Sequence, residues 1–149
     1  MSGQSDAAHR QRLAERAAAA LFARDGASQM LGMRLDAVQP GRARVLMKVR
    51  ADMVNGHGVC HGGLVFALAD SAFAFACNSY NQTTVASGCA IDFVTPAREG
   101  DALTAVAHER SVSGRTGVYD IEVKNQRGET VALFRGKSYR IKGHVVEQT

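Results

Sequence analysis

Between His61 and Tyr80 the chain carries a run that is apolar on almost every side: Leu64, Val65, Phe66, Ala67, Leu68 and Ala69, then Ala72, Phe73, Ala74, Phe75 and Ala76. The run is longer than a typical strand, and its Ala and Leu residues favour helix. A helix apolar all round is a buried helix, so the rest of the chain must enclose this rod. One residue does not fit. Asp70 stands in the middle as the single charged side chain between Gly62 and Tyr80. Asp is a poor residue for a helix interior, and burying an unpaired carboxylate costs several kcal/mol or raises its pKa. Asp70 can face solvent or cap a neighbouring turn. The functional alternative is a catalytic base or nucleophile in a partly dry cleft.

The segments around the rod read mostly as strands. Met33–Gln39 and Arg44–Arg50 are split by Pro40-Gly41, and the second alternates Val45, Met47 and Val49 with polar positions, so a hairpin is expected. Thr84–Val94, Ala102–Val112, Gly117–Asn125 and Thr130–Ile141 are four further strand-like runs rich in β-branched residues. Their breaks are short, so neighbours in sequence are expected to pair antiparallel. Before all of these, Asp6–Arg24 has the Ala density and spacing of an amphipathic helix, with Asp6 as N-cap and Gly26 as its stop. The fold class is therefore α+β: an antiparallel sheet of about six strands, curled around one long buried helix, plus an N-terminal helix. The 149 residues suit one domain, divided into an N-terminal helical segment (1–28), a core (29–142) and a tail (143–149).

The loop before the rod supplies the other half of a candidate site. In Asn55-Gly56-His57-Gly58-Val59-Cys60-His61-Gly62-Gly63 the last residues form the helix N-terminus, where the first N–H groups lack internal partners and lie at the positive end of the helix dipole. Gly62 and Gly63 carry no side chain there, so a ligand oxygen can approach, as an oxyanion hole for acyl transfer requires. Asn55 and His61 add polar groups to the same rim. Gly62 and Asp70 are eight residues apart, or roughly 12 Å along one helix, too far to touch one carbonyl. Two copies of the helix running antiparallel across a two-fold axis would bring Gly62 of one to Asp70 of the other. If both residues are catalytic, the spacing asks for a dimer.

Other chemistries are weaker. His57 and His61 stand at i, i+4, a spacing that suits a metal on a helix, but Gly56 and Gly58 make that segment a poor helix, and no metal is expected. Cys60 beside His61 does not make a nucleophile pair, because sequence neighbours point apart. Cys60, Cys77 and Cys89 show no paired spacing, which fits a reducing compartment rather than a disulfide framework. The net charge of +4 is spread along the chain and does not form the concentrated patch of a nucleic-acid binder. The longest apolar stretch is too short and too charged to cross a membrane, and no secretory leader is legible. A cytoplasmic location is expected, with no membrane and no nucleic-acid partner.

Three stretches together resemble the hotdog thioesterases of the phenylacetate-degradation (PaaI) type: Asn55-x-His57-x-x-x-His61-Gly62-Gly63, Leu68-Ala69-Asp70-Ser71-Ala72 and Ala76-Cys77-Asn78-Ser79. Ile91-Asp92-Phe93-Val94-Thr95-Pro96-Ala97 and Gly114-Arg115-Thr116-Gly117-Val118-Tyr119-Asp120 extend the likeness over residues 30–142. The resemblance implies a hotdog fold, dimers pairing into a tetramer, and hydrolysis of aryl- or arylacetyl-CoA thioesters to the acid and free coenzyme A, without a cofactor beyond the substrate's own coenzyme A. It implies Asp70 as nucleophile or water-activating base, Gly62 as the carbonyl-polarising N–H, Asn55 as the residue orienting water or substrate, and His61 as support for the loop. Gly63, Phe73, Thr95, Ser113, Arg115 and Thr116 are the candidate substrate contacts, Phe73 for the acyl group and Arg115 first among the coenzyme A contacts. A non-catalytic acyl-CoA-binding module and a hotdog hydratase or dehydratase are the alternatives.

Overall fold

The computed structural model describes residues 2–148, so Met1 of the N-terminal segment and Thr149 of the tail lie outside the described residues. The element order is α1 (Ser2–Arg24), α2 (Gly26–Met30), β1 (Arg34–Gln39), β2 (Arg42–Lys48), a 3-10 turn at Ala51–Met53, α3 (Gly62–Cys77), β3 (Gln82–Phe93), β4 (Ala102–Ser113), β5 (Thr116–Lys124) and β6 (Thr130–His144). The six strands form one antiparallel sheet in the order β1-β2-β4-β5-β6-β3. It curls around α3 as the sequence leads one to expect of a hotdog fold.

The pairing departs from sequence adjacency at one place. β3 does not pair with β4. It pairs with β6, from Gln82↔His144 to Phe93↔Ala132, while β4 pairs with β2. The residues between β3 and β4 cross the N-terminal end of α3, where Cys60 N–H donates to Ala97 O at 2.7 Å. β3 therefore becomes an outer strand. Its residues from Val85 to Ala90 are exposed on both faces, and one edge has no strand beside it.

Inward-facing positions line up across the strands. Val45 lies opposite Ala105, Ala105 opposite Val123, and Val123 opposite Ala132. Small residues in this layer let the helix sit close. A Cβ at Gly136 would lie 2.8 Å from the Phe73 ring. Phe73 is 1% exposed and stacks edge-on to Tyr119, with ring centroids 5.6 Å apart.

Two expectations for the N-terminal segment are corrected. Asp6 lies inside α1, which begins at Ser2, and Gly26 opens α2 instead of ending a helix. The signal for the second helix is Asp25, whose side chain caps it by accepting the Ser28 N–H. The α1 residues Ala14, Ala17 and Ala18 are buried, and Phe22 stacks edge-on to Phe75 of α3, with centroids 6.1 Å apart. The tail is also tied down. Val146 N–H donates to Asn81 Oδ1 at 2.8 Å, and Asn81 Nδ2 donates to Val146 O at 2.9 Å.

Candidate active site

The helix expected to be hidden on every side is not. Val65, Leu68, Ala69, Ala72, Phe73, Phe75, Ala76 and Cys77 are buried. Gly63 is exposed, and Ala67, Asp70, Ser71 and Ala74 are only partly covered. These positions recur at three- and four-residue intervals, so they form one stripe along α3. Asp70 lies in its centre.

No described cation approaches Asp70. Partial burial pushes its carboxyl above the ordinary range, and the negative charge of Asp25 pushes in the same direction. A carboxylate held this way binds a proton more tightly than a free one, which suits a base working near neutral pH.

The loop and helix start form a second cluster. His61 is the N-cap of α3, and its Nδ1 accepts the Gly63 N–H at 2.9 Å. In the neutral ring the proton then sits on Nε2. This corrects the expectation for Gly63. Its N–H is taken by His61, and a Cβ there would lie 3.0 Å from His61 Nδ1, so its small size makes room for the imidazole. Gly62 is different. Among the described residues its N–H has no acceptor, as first-turn donors of a helix commonly do not. A Cβ at Gly62 would lie 3.0 Å from Phe93 Cζ.

Asn55 is set by its own loop. Its Oδ1 accepts the N–H groups of His57 and Val59 at 3.0 and 3.3 Å. Gly58 closes the turn at φ +79°, a conformation that favours glycine. With the carbonyl of Asn55 engaged inside the loop, its amide nitrogen is the polar group left over, and that group only donates. His57 is exposed in the same turn, and among the described residues no three potential metal ligands cluster.

Asn55, Gly62 and Thr95 line one cavity of about 280 Å³, together with Val59, Val65, Phe93, Val94 and Val131. An apolar pocket with an unpartnered N–H and an amide donor at one side can hold an acyl group while binding its carbonyl oxygen. Phe93, 58% exposed, is the wall the sequence did not single out. Its period-two relation to Ile91 on β3 is the signal that puts it on the helix side of the sheet. Phe73, expected to line the acyl pocket, belongs to the core between helix and sheet. The correction has a plain cause: it faces Gly136, Tyr119 and Phe134.

Two other expected groups lie elsewhere. Ser113 and Thr116 share a hollow of about 260 Å³ with Ser87 and Lys137. Arg115 lines a hollow of about 510 Å³ with Arg140 and Lys142. Both hollows sit at the β4–β5 turn. Arg140 stands over the ring of Tyr80, beyond the C-terminal end of α3. Val131 in the first cavity and Arg140 in the last hollow lie on one strand, roughly 30 Å apart at strand rise. Within one chain the loop cavity, Asp70 and the basic hollow are thus three stations along the molecule.

The Thioesterase superfamily model matches residues 57–132, from the loop into β6. The chain is 52% identical over 126 residues to the acyl-coenzyme A thioesterase PaaI of Escherichia coli (strain K12), covering 85% of this chain and 90% of that protein. This chain belongs to the thioesterase superfamily. The solved structure of E. coli PaaI, from the phenylacetic acid degradation operon, superposes on this thioesterase with a TM-score of 0.89 at 50% identity, covering 90% of this chain and 97% of that one. A mutant of the phenylacetic acid degradation protein PaaI from Thermus thermophilus gives 0.74 at 41% identity, covering 76% of this chain and 97% of that one. The thioesterase is a thioester hydrolase by family, with the hotdog fold of these relatives. No helix among the described residues is long and apolar enough to cross a membrane.

Proposed function

We propose that the enzyme hydrolyses aryl- or arylacetyl-CoA thioesters, phenylacetyl-CoA or a hydroxylated analogue, to the carboxylic acid and free coenzyme A. The observation that carries this reading is the pairing of two features on one helix. Gly62, whose N–H has no acceptor among the described residues, lines an apolar cavity, and a partly buried carboxylate with no cation acting on it among the described residues stands further along the same helix. The likeness to an acyl-coenzyme A thioesterase at 52% identity supports the substrate class.

The chemistry follows from the donors. The Gly62 N–H, at the positive end of α3, receives the thioester carbonyl oxygen and stabilises its negative charge as the tetrahedral intermediate forms. The Asn55 amide donates to the water or to the same oxygen. Asp70 either takes a proton from the attacking water or adds to the carbonyl itself, and water then cleaves the anhydride. In both routes the C–S bond breaks, the thiolate leaves and is protonated, and one water is consumed. No cofactor beyond the substrate's own coenzyme A takes part.

Asp70 and Gly62 serve one carbonyl only if they come from two copies. The stripe of small residues around Asp70 and the open edge of β3 support such an association. β3 paired with its own copy would extend the sheet and set two α3 helices antiparallel. The basic hollow of Arg115, Arg140 and Lys142 would then serve the phosphates of coenzyme A bound at the other copy's loop cavity. Two dimers would form the tetramer. The location proposed is the cytoplasm, with no nucleic-acid or membrane partner.

The test is release of free thiol from phenylacetyl-, hydroxyphenylacetyl-, benzoyl-, short-chain and long-chain CoA, with wild type and Asp70→Ala side by side. Release that is strongest for the arylacetyl members and lost in the folded variant is expected. No release from any member would assign the cavity to a binding module, and hydration of an enoyl-CoA would make the enzyme a hydratase.

A further inference from the structure

The N-terminal segment lies outside the residues matched by the family model, yet it reaches the Asp70 face of α3. Asp25 joins α1 to α2. Its Oδ1 accepts the Ser28 N–H at 2.9 Å and its Oδ2 accepts the Ser28 hydroxyl at 2.5 Å. Ser28 Oγ lies 2.8 Å from Ser71 Oγ, and Ser71 follows Asp70 in the helix. A serine hydroxyl has one proton to give. Ser28 gives its proton to Asp25, so Ser71 donates to Ser28. The chain of bonds therefore runs in one direction, from the catalytic helix to Asp25. Ser28 is 2% exposed, which shields the chain from water.

α2 has five residues and cannot hold its own orientation. Besides its backbone bonds, it is held by the Asp25 cap, by Gln29, whose Nε2 donates to Phe22 O of α1 at 2.7 Å, by Arg50, whose Nη1 donates to Met30 O at 3.1 Å, and by the Ser28–Ser71 contact, the side-chain hydrogen bond that ties it to α3. The titratable neighbours acting on Asp70 or acted on by it are Asp25, Cys77 of its own helix and Cys89 of β3. Burial pushes both thiols upward, Cys77 to about 12, so they carry no charge at neutral pH. Among the described residues Asp25 is the one charged group in this set.

We propose that Asp25 is a positioning residue for Asp70: through Ser28 it clamps α2 on to Ser71, and so puts a second negative charge at the end of a hydrogen-bonded chain that begins beside the catalytic carboxylate. This rests on Asp70 acting as base or nucleophile. A like charge disfavours the ionised form of its neighbour. Asp25 thus moves the onset of activity to higher pH and leaves Asp70, once ionised, a stronger base.

The experiment is the pH profile of kcat/KM on phenylacetyl-CoA for wild type, Asp25→Asn, Ser28→Ala and Asp70→Asn. Asp25→Asn should shift the acidic limb to lower pH. Ser28→Ala, which keeps the charge and breaks the clamp, should leave the limb in place and lower the plateau kcat several-fold. A merely structural role would lower the plateau in both variants without moving either limb, and that result overturns the proposal. So does an Asp25→Asn profile that superimposes on wild type. Should Asp25→Asn not fold, Asp25→Ser carries the same readout, since serine also caps a helix. If Asp70→Asn stays fully active, the assignment of Asp70 fails and this proposal with it. If Asp70→Asn is inactive and the Asp25→Asn limb has not moved, Asp25 alone is wrong.

Discussion

The Nδ1 of His61 accepts the N–H of Gly63 at 2.9 Å. That bond orients the imidazole, closes one of the first-turn donors of α3, and leaves the N–H of the neighbouring Gly62, a residue that lines the loop cavity, without an acceptor among the described residues. The His-Gly-Gly run is thereby divided into three roles: a cap, a free donor, and a glycine that makes space for the cap.

His61→Ala removes this cap and should cost about 1 kcal/mol of stability, with a fall in kcat as the loop loses its anchor. His61→Asn, a good capping residue, should recover the stability to within a few tenths of a kcal/mol. Denaturant titration of the two variants separates capping from chemistry.

Gly62→Ala and Gly136→Ala should behave in opposite ways. A Cβ at Gly62 meets the far end of the Phe93 ring, which is 58% exposed and can swing aside. Stability should change by less than about 0.5 kcal/mol, while the narrowed cavity raises KM. A Cβ at Gly136 meets the ring of Phe73 at 2.8 Å, deep in the core where nothing can move. That overpacking should cost about 1–3 kcal/mol. Thermal unfolding together with steady-state kinetics on both variants checks the contrast.

Asp70 makes stability depend on pH with a definite sign. Its folded pKa lies above the unfolded reference of 3.8, because burial and Asp25 oppose its charge. Between the two values the folded state binds more protons than the unfolded state, so stability falls as pH rises. The contribution is fully present below 3.8 and lost as pH passes the folded pKa. Asp70→Asn should therefore be more stable than wild type at neutral pH, with a gain that vanishes under acid conditions. Tm differences between the two proteins across pH read this directly.

The strands and the rod were legible because alternation in β2 and continuous apolarity in α3 reflect burial directly. Partner choice was not. β3 and β4 follow one another with a short break, yet strand patterning carries no information on which edge a strand joins, and the crossing over the α3 N-terminus sends β3 to β6. The same limit misled the assignment of Phe73. A helix apolar on all sides has no periodicity to say which side meets the sheet, and the deciding residue, Gly136, lies 63 positions away on β6. Asp70, Asn55, Gly62 and His61 stand out in the sequence as candidates because each breaks a local rule, a charge in an apolar helix and a glycine-rich turn at its start, and the structure adds only where they lie: His61 caps α3, Gly62 and Asn55 line the loop cavity, and Asp70 is partly buried. The Asp25–Ser28–Ser71 chain joins residues that carry no signal singly.

The most direct test of a site shared between two copies is complementation. Asn55→Ala and Asp70→Asn, each expected to be inactive alone, would be co-expressed with different tags and the mixed species purified by both. In a mixed dimer one of the two sites has both Asn55 and Asp70 intact, so about half of wild-type activity per dimer is predicted. A mixed species as inactive as either parent would contradict the account and place the whole reaction within one chain.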